Sequence, residues 1–305
     1  MRTQWDVIVV GASFAGAACA LAAREYGLRV CVLERKRDPG IKLHTTGIIV
    51  REAAEGTWLS RLPPRLVHRV EGVRLHAPNL RCMRLSRPEY YFLATDTPGV
   101  MRWLAGELRE AGVELRLATS FQQAEREGDG WNVRDAGRTR FLVGADGAKS
   151  RVAERAGLGR VRDFLYGVEL EFDGMRLAQA DALHCFLSKA FAPGYIGWAL
   201  QAPTGVQVGL ASRYRGTRSP VPDADAFLRH VAPVIGIDAR RKPDAVRAGL
   251  VPCGGPIREI AADGAILTGD AAGIVSPLTA GQTLSLTLRF RTGGERVLQV
   301  PVRED

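Results

Sequence analysis

Residues 5–34 read WDVIVVGASFAGAACALAAREYGLRVCVLE, and the fold follows from this stretch. Residues 5–10 form a short β-branched run of the kind buried on both faces of a sheet. Gly11-Ala12-Ser13-Phe14-Ala15-Gly16 then makes a tight turn, the small residues 17–26 make a helix, and Gly27 stops it. Residues 29–33 form a second strand, closed by Glu34. Strand, helix and strand in so short a span make a βαβ unit, and such units imply a parallel sheet.

The turn carries a dinucleotide-binding pattern with one departure. Gly11 stands where a Cβ would clash, and Gly16 lets the helix approach the strand. The middle position is commonly glycine, so that a pyrophosphate can touch the backbone at the helix N-terminus. Here it is Ser13, which is small and able to donate a hydrogen bond to phosphate. Gly11, Ser13, Phe14, Ala15 and Gly16 are therefore candidate cofactor contacts. Glu34 lies 23 positions after Gly11, at the end of the second strand, where its carboxylate can accept both hydroxyls of a ribose. A carboxylate there repels a 2′-phosphate, so bound NADP is not expected. Arg35 follows in the same turn. This motif does not separate NAD from FAD.

Two later segments do. LVGADGAKSR (142–151) ends a strand in the glycine-flanked Asp146, and AILTGDAAG (265–273) ends another in Asp270. Asp270 at a strand's carboxyl end is placed to accept hydrogen bonds from ribityl hydroxyls, with the Ala271 amide facing the pyrophosphate. SPLTAG (276–281) should lead into a helix whose positive end meets the N1–C2=O edge of a flavin and stabilises its anionic reduced form.

The order G-x-S-x-x-G…Glu, G-A-D-G-x-x-S and G-D-A-A-G-x-x-S-P-L-T-A-G resembles the FAD-dependent oxidoreductases of the p-hydroxybenzoate hydroxylase fold, and within them the geranylgeranyl reductase family. The resemblance spans about residues 5–281. It implies an α/β protein with a Rossmann-like, glutathione-reductase-type FAD-binding domain and an antiparallel-sheet substrate domain. The first is expected from 1–65, 95–155 and 256–305, and the second from 66–94 and 156–255. It also implies that Lys42 and Thr46 lie in the segment passing over the flavin, and that Gly281 joins the cofactor site. Pro193-Gly194-Tyr195-Ile196-Gly197-Trp198, followed by Gly205 and Gly209, resembles the family's substrate-cavity signature and makes Tyr195 and Trp198 substrate-lining candidates. Ordinary packing of these aromatics stays an equal alternative, because the Tyr-to-Trp spacing departs by one residue and Leu200-Gln201-Ala202 replaces Phe-Pro-Lys. Cys253-Gly254-Gly255-Pro256 resembles the family's returning strand. Thr97 stands where an Arg usually meets the cofactor phosphates, and Arg102 is the nearest substitute.

By the same resemblance FAD is reduced by an external donor, NAD(P)H or another reductant. It then passes hydride to a carbon–carbon double bond of an isoprenoid-like or other apolar small molecule. An FAD-dependent aromatic monooxygenase and a non-catalytic FAD-binding remnant stay open as alternatives. No acid or base is assigned, although His44 is a candidate.

The rest of the chain bounds these readings. At 305 residues, 46% hydrophobic and 25% charged, it excludes a disordered tail, a fibre and a small disulfide scaffold. The net charge of +9 comes almost wholly from arginine, with five lysines among 42 cations. It is dispersed, which argues against a nucleic-acid partner. Five cysteines without a C-x-x-C pair imply neither a disulfide framework nor a metal site, and point to a reduced, cytoplasmic chain. The uncharged run 7–23 is too short and too interrupted to span a bilayer, so the protein is expected to be soluble, with peripheral membrane contact left open. Its oligomeric state is not fixed. Strands are expected at 73–85, 90–94 and 264–268, helices at 97–111 and 223–231, a meander over 121–143 and a strand-rich region over 164–212. After Gly281 an amphipathic helix would fit the fold, yet Leu284, Leu286, Leu288 and Phe290 alternate with polar residues in a strand pattern. The C-terminal part is therefore expected to be truncated or altered.

Overall fold

The structure is a computed structural model that describes residues 4–216, 219–275, 285–289 and 295–299. The chain opens with β1 (Trp5–Val10), α1 (Phe14–Glu25) and β2 (Val30–Leu33). It continues through β3 (Ile48–Val50), α2 (Arg51–Gly56), β4 (Val67–Val70), β5 (Gly72–His76), β6 (Cys82–Leu85) and β7 (Phe92–Thr95). Next come α3 (Thr97–Glu110), β8 (Glu114–Arg116), β9 (Ala124–Glu127), β10 (Gly130–Val133), β11 (Gly137–Gly144) and α4 (Arg151–Arg155). A long antiparallel stretch follows: β12 (Phe164–Asp173), β13 (Ala182–Phe186), β14 (Gly197–Gln201) and β15 (Gly205–Tyr214). After it come α5 (Ala224–Ile235) and β16 (Ala245–Pro252). The chain closes on β17 (Ala261–Ala262), β18 (Ala265–Leu267), β19 (Ser285–Arg289) and β20 (Glu295–Gln299). It divides into two units, one of Met1–Ile41, Pro98–Arg162 and Pro252–Asp305, the other of Lys42–Thr97 and Asp163–Val251.

The first unit is built on a sheet of order β17-β18-β11-β1-β2-β8. β1 pairs in parallel with β11 and β2, β11 with β18, and β2 with β8. Strands buried on both faces have no solvated side to alternate with, which is why VIVV and VCVL read as unbroken apolar runs. Ile8, Cys31, Leu33, Leu142 and Leu267 are all essentially inaccessible, each large aliphatic contributing ~2 kcal/mol by leaving water. β9 and β10 add antiparallel strands to β11. The meander is therefore present, and its last strand is also a central member of the parallel sheet.

The second unit holds a seven-stranded sheet of order β16-β12-β15-β14-β13-β5-β6 and a small sheet β3-β7-β4. Alternation along β12 gives the large sheet two unlike faces. Val168, Leu170 and Phe172 pack with Phe227, Leu228, Val231 and Ile235 of α5, while Glu169 and Glu171 point to the opposite face. Asp223 caps α5 by accepting from the Ala226 amide at 2.8 Å, and the helix runs past Val231, through Pro233, to Gly236 at φ +74°.

Two expectations change in detail. Residues 73–85 form two strands instead of one, because Ala77, Pro78 and Asn79 turn the chain back into a hairpin, with the Ala77 amide donating to the Arg81 carbonyl at 2.9 Å. Residues 42–65, expected with the cofactor domain, lie in the second unit, since β3 pairs with the distant β7. The alternating pattern of 284–290 does give a strand, β19, paired antiparallel with β20. Gly281 and the helix expected after residues 276–281 lie outside the described residues.

Candidate functional site

Four parallel strands of the first unit end side by side. Val10 is level with Leu33 and Gly144, and Gly144 with Leu267. The residues just beyond these ends, Gly11, Glu34, Ala145-Asp146 and Thr268-Gly269-Asp270, therefore share one edge of the sheet. Backbone bonds stitch them together: Gly11 N–H donates to the Leu33 carbonyl, Ala145 N–H to Val10 and Thr268 N–H to Gly144, all within 2.9 Å.

The turn after β1 is shaped for close approach. A Cβ on Gly11, whose φ is +103°, would stand 2.3 Å from the Ala145 carbonyl oxygen. A Cβ on Gly16 would stand 1.9 Å from the Gly11 carbonyl oxygen. Both positions are thus closed to any side chain. α1 begins at Phe14 with no side-chain cap and no acidic residue in its first turn. The Ser13 hydroxyl finds only Met101 Sδ, at 3.7 Å. Uncapped amides, an exposed hydroxyl and the positive end of the helix dipole make an anion seat at Ser13, Phe14 and Ala15.

Glu34 is buried at the end of β2. Its Oε2 accepts from the Ala12 amide and its Oε1 from the Lys36 amide, both at 3.0 Å. Each oxygen keeps a lone pair for a further donor, so the carboxylate is fixed in place and still able to receive ribose hydroxyls. Arg35 beside it is exposed. Burial pulls the Lys36 ammonium below its usual range.

Asp146 has a role that the motif alone did not reveal. Its Oδ1 accepts from Ser150 Oγ at 2.6 Å, and its Oδ2 from the amides of Arg151 and Val152 at 2.7 and 3.2 Å. The G-A-D-G-x-x-S pattern is the capping arrangement of α4, with Ser150 Oγ also accepting from the Ala153 amide. Asp270 opens a short 3-10 turn, Gly269–Ala272, that ends at Gly273 with φ +69°, and Ala271 beside it is buried.

Other expected residues sit elsewhere. Lys42, with φ +49°, and Thr46 belong to the second unit. There the Thr46 carbonyl accepts from Thr97 Oγ1 at 3.0 Å. Thr97 is wholly buried and also meets Thr95 Oγ1. Arg102 binds Asp38 in a two-pronged ion pair, closest at 2.7 Å, and holds that carboxyl below the usual range. His44 lies on the second unit's sheet, its Nδ1 2.7 Å from the Ala248 carbonyl oxygen. Tyr195 occupies the turn before β14, its amide donating to Ala192 at 3.1 Å.

Trp198 leads to the second unit's own polar centre. Its indole packs against Gly209, where a Cβ would be 2.4 Å from the ring, and its Nε1–H donates to Glu169 Oε2 at 2.8 Å. Around it on the same sheet face are Gln207, Glu171 and Arg247. Arg247 pairs closely with Glu171, donates to the Thr45 carbonyl at 2.9 Å and stays 4.0 Å from Glu169 Oε1. One buried guanidinium thus faces two carboxyls. Arg247 sits closer to Glu171, so Glu169 keeps only the longer 4.0 Å ion pair and its Oε1 has no hydrogen-bond partner. Desolvation accordingly pushes the Glu169 carboxyl above its usual range, against the downward pull of Trp198 and Arg247. The sequence pattern does not single out this cluster. Its one available signal is the insertion of Glu169 and Glu171 into the otherwise apolar alternation of β12.

An extended dinucleotide fits the first unit on these observations: two cradles that a Cβ would fill, an uncapped helix end and a carboxylate fixed at the end of β2. Among the described residues there is no group of histidine, cysteine or carboxylate side chains able to hold a metal. Nor is there a helix long and apolar enough to cross a membrane.

Comparison with known proteins agrees with the geometry. The sequence profile described as the FAD binding domain matches residues 4–284. A digeranylgeranylglycerophospholipid reductase of Methanopyrus kandleri is 29% identical, the alignment covering 99% of this chain and 78% of that protein. A geranylgeranyl bacteriochlorophyll reductase-like protein of Thermoplasma acidophilum superimposes with a TM-score of 0.80 at 18% identity, covering 91% of this chain and 74% of that one. The probable FAD-dependent monooxygenase pqsL of Pseudomonas aeruginosa superimposes with a TM-score of 0.67 at 18% identity, covering 90% and 81%.

Proposed function

We propose that this chain, which belongs to the FAD-binding domain family, is an FAD-dependent oxidoreductase that reduces carbon–carbon double bonds in an isoprenoid-like, apolar lipid. The observation that carries the cofactor half is the shared edge of Gly11, Glu34, Asp146 and Asp270. The substrate half draws on the reductases that the chain resembles over nearly all of its length.

FAD, when bound and reduced, supplies a hydride, and a nicotinamide or other reductant outside the chain replaces the electrons. The protein's own residues bind and orient. The amides of Phe14, Ala15 and Ala271 with Ser13 Oγ would hold the pyrophosphate, Glu34 would receive the adenosine ribose, and Asp270 would receive the ribityl hydroxyls. Asp146 acts by capping α4, which fixes the turn that follows β11. Lys42, Thr46 and Gly281 are assigned to the flavin side by family resemblance. Tyr195 and Trp198 are assigned to the substrate, with Trp198 held by Glu169. An apolar lipid substrate makes peripheral contact with a membrane part of this reading.

The test is spectroscopic first. Purified protein should show flavin absorbance that bleaches anaerobically with NADH or dithionite, and the reduced form should be reoxidised by a polyprenyl lipid that gains two hydrogens by mass. Oxygen-dependent NAD(P)H consumption stimulated by an aromatic compound would instead establish a hydroxylase. Bound flavin that no donor reduces would establish a non-catalytic binder.

A further inference from the structure

We propose that the β5–β6 hairpin is the surface by which this protein docks on an anionic lipid bilayer. The inference builds on the apolar-lipid substrate proposed above, and its test is independent of turnover.

Residues 81–89 are exposed without interruption. They include β6, which ends the seven-stranded sheet. The hairpin register pairs Val73 with Leu85 and Leu75 with Met83, so these four apolar side chains share one face. Met83 is 60% and Leu85 46% accessible. Leu187, whose amide donates to the His76 carbonyl at 2.9 Å, is 42% accessible beside them. Three of the seven large exposed hydrophobics among the described residues thus gather at this edge. A bare apolar edge strand invites aggregation, so its presence calls for a partner.

The charges say which partner. Register places Arg84 directly opposite Arg74, a like-charge pair that weakens a sheet. Arg81 and Arg87 flank it, and Glu89 is the single acid between Gly72 and Tyr91. Cations beside exposed aliphatics match the boundary of a bilayer carrying anionic headgroups, where guanidinium forks meet phosphate and Met or Leu enter the acyl region. The element is also rigid enough to serve as a wedge. Leu80 N–H donates to Ala77 O at 2.8 Å, Arg81 N–H to Asn79 Oδ1 at 3.2 Å, and Leu80 itself, at φ +64°, packs on the core beneath.

The apolar face continues inward. Across the strands, Met83 is level with Leu75, Leu75 with Cys185, and Cys185 with Trp198. The apolar edge is thus on the same sheet face as the substrate-lining candidate.

The experiment is co-sedimentation of the full chain with vesicles of phosphatidylcholine alone and of equimolar phosphatidylcholine and phosphatidylglycerol. Binding is expected to the second, weakening as salt is raised. Each arginine near such a surface is worth about fivefold, so Arg81→Gln/Arg84→Gln/Arg87→Gln should lower partitioning by roughly 100-fold. Met83→Glu/Leu85→Glu should reduce it to background. Arg240→Gln, on a distant exposed turn, should leave it unchanged. Flavin absorbance of each variant reports folding separately from lipid binding, and a protein that binds vesicles without flavin would sink the cofactor reading while leaving the docking surface standing. The proposal is overturned if the wild-type chain ignores anionic vesicles, or if the hairpin variants bind like wild type. It is also overturned if the variants only turn a dimer into monomers, which would make the edge an interface between copies.

Discussion

Replacing Gly209 by alanine tests the arrangement at the centre of the second unit. Its backbone is not in the left-handed region, so the cost is one of packing. The new methyl would stand 2.4 Å from Trp198 Cζ2, 2.6 Å from Cε2 and 2.9 Å from Nε1. The indole has to move, and in moving it breaks its 2.8 Å hydrogen bond to a carboxyl whose other oxygen already lacks a partner. Overpacking of this kind costs ~1–3 kcal/mol, and a buried polar group left unsatisfied costs a further ~1–3 kcal/mol. Gly209→Ala should therefore destabilise by about 3 kcal/mol, read as a lower urea midpoint at unchanged slope. A double-mutant cycle isolates the cause. Trp198→Leu removes both ring and donor, and in that background Gly209→Ala should cost less than about 0.5 kcal/mol, a coupling of 2–3 kcal/mol between the sites. If the two substitutions simply add, the ring is not what makes position 209 a glycine, and the reasoning fails.

Three further outcomes are expected. Gly11→Ala meets the Ala145 carbonyl at 2.3 Å from a φ of +103°, and should purify without flavin absorbance and with stability lowered by ~2–4 kcal/mol; a yellow, stable variant would contradict the cradle. Glu34→Ala removes the acceptor proposed for the ribose and should weaken FAD binding by roughly 10- to 100-fold in equilibrium dialysis, with Glu34→Gln in between; equal affinities for all three would remove Glu34 from the site. His184 is buried against His76, with Arg74 and Asp181 also acting on it, and burial lowers its pKa to about 4. The unfolded chain takes up that proton near pH 6.5 and the folded chain only near 4. Stability should thus be complete above 6.5 and fall as pH drops through this window, by at most ~3 kcal/mol and by about 2 kcal/mol after solvent screening. His184→Leu should flatten that part of the pH–stability curve, and an unchanged slope would refute the assignment.

The parallel core was legible because its signals are local. VIVV, the two tight glycines and Glu34 sit within one βαβ unit, and no distant residue alters what they mean. The place of Asp146 and Asp270 beyond neighbouring strand ends was legible for the same reason, each lying just past an apolar strand. What Asp146 binds was not legible, since whether a carboxylate meets a ligand or the helix following it depends on a turn of three residues. Residues 42–65, expected with the cofactor domain, group with the second unit because the partner of β3 is β7, more than forty residues downstream. The Glu169, Glu171 and Arg247 cluster depends on strands still further apart, and only the three-dimensional register reveals that one cation must answer two acids. The hairpin at 73–85 did carry its own signal in Pro78-Asn79, outweighed by the apolar residues on either side.

β11 pairs with β10 over Gly137–Thr139, with β1 over Thr139–Gly144, and with β18 at its final three residues. The strand that organises the nucleotide crevice thus waits for a partner more than 100 residues further along the chain. On the ribosome, β1 and β2 emerge early, but the crevice stays open along one flank until Leu267 has left the exit tunnel. Until then that flank presents unpaired backbone N–H and C=O groups. A chaperone that shelters nascent chains, or slow codons placed after β11, would be expected to govern yield more than any substitution in the finished protein.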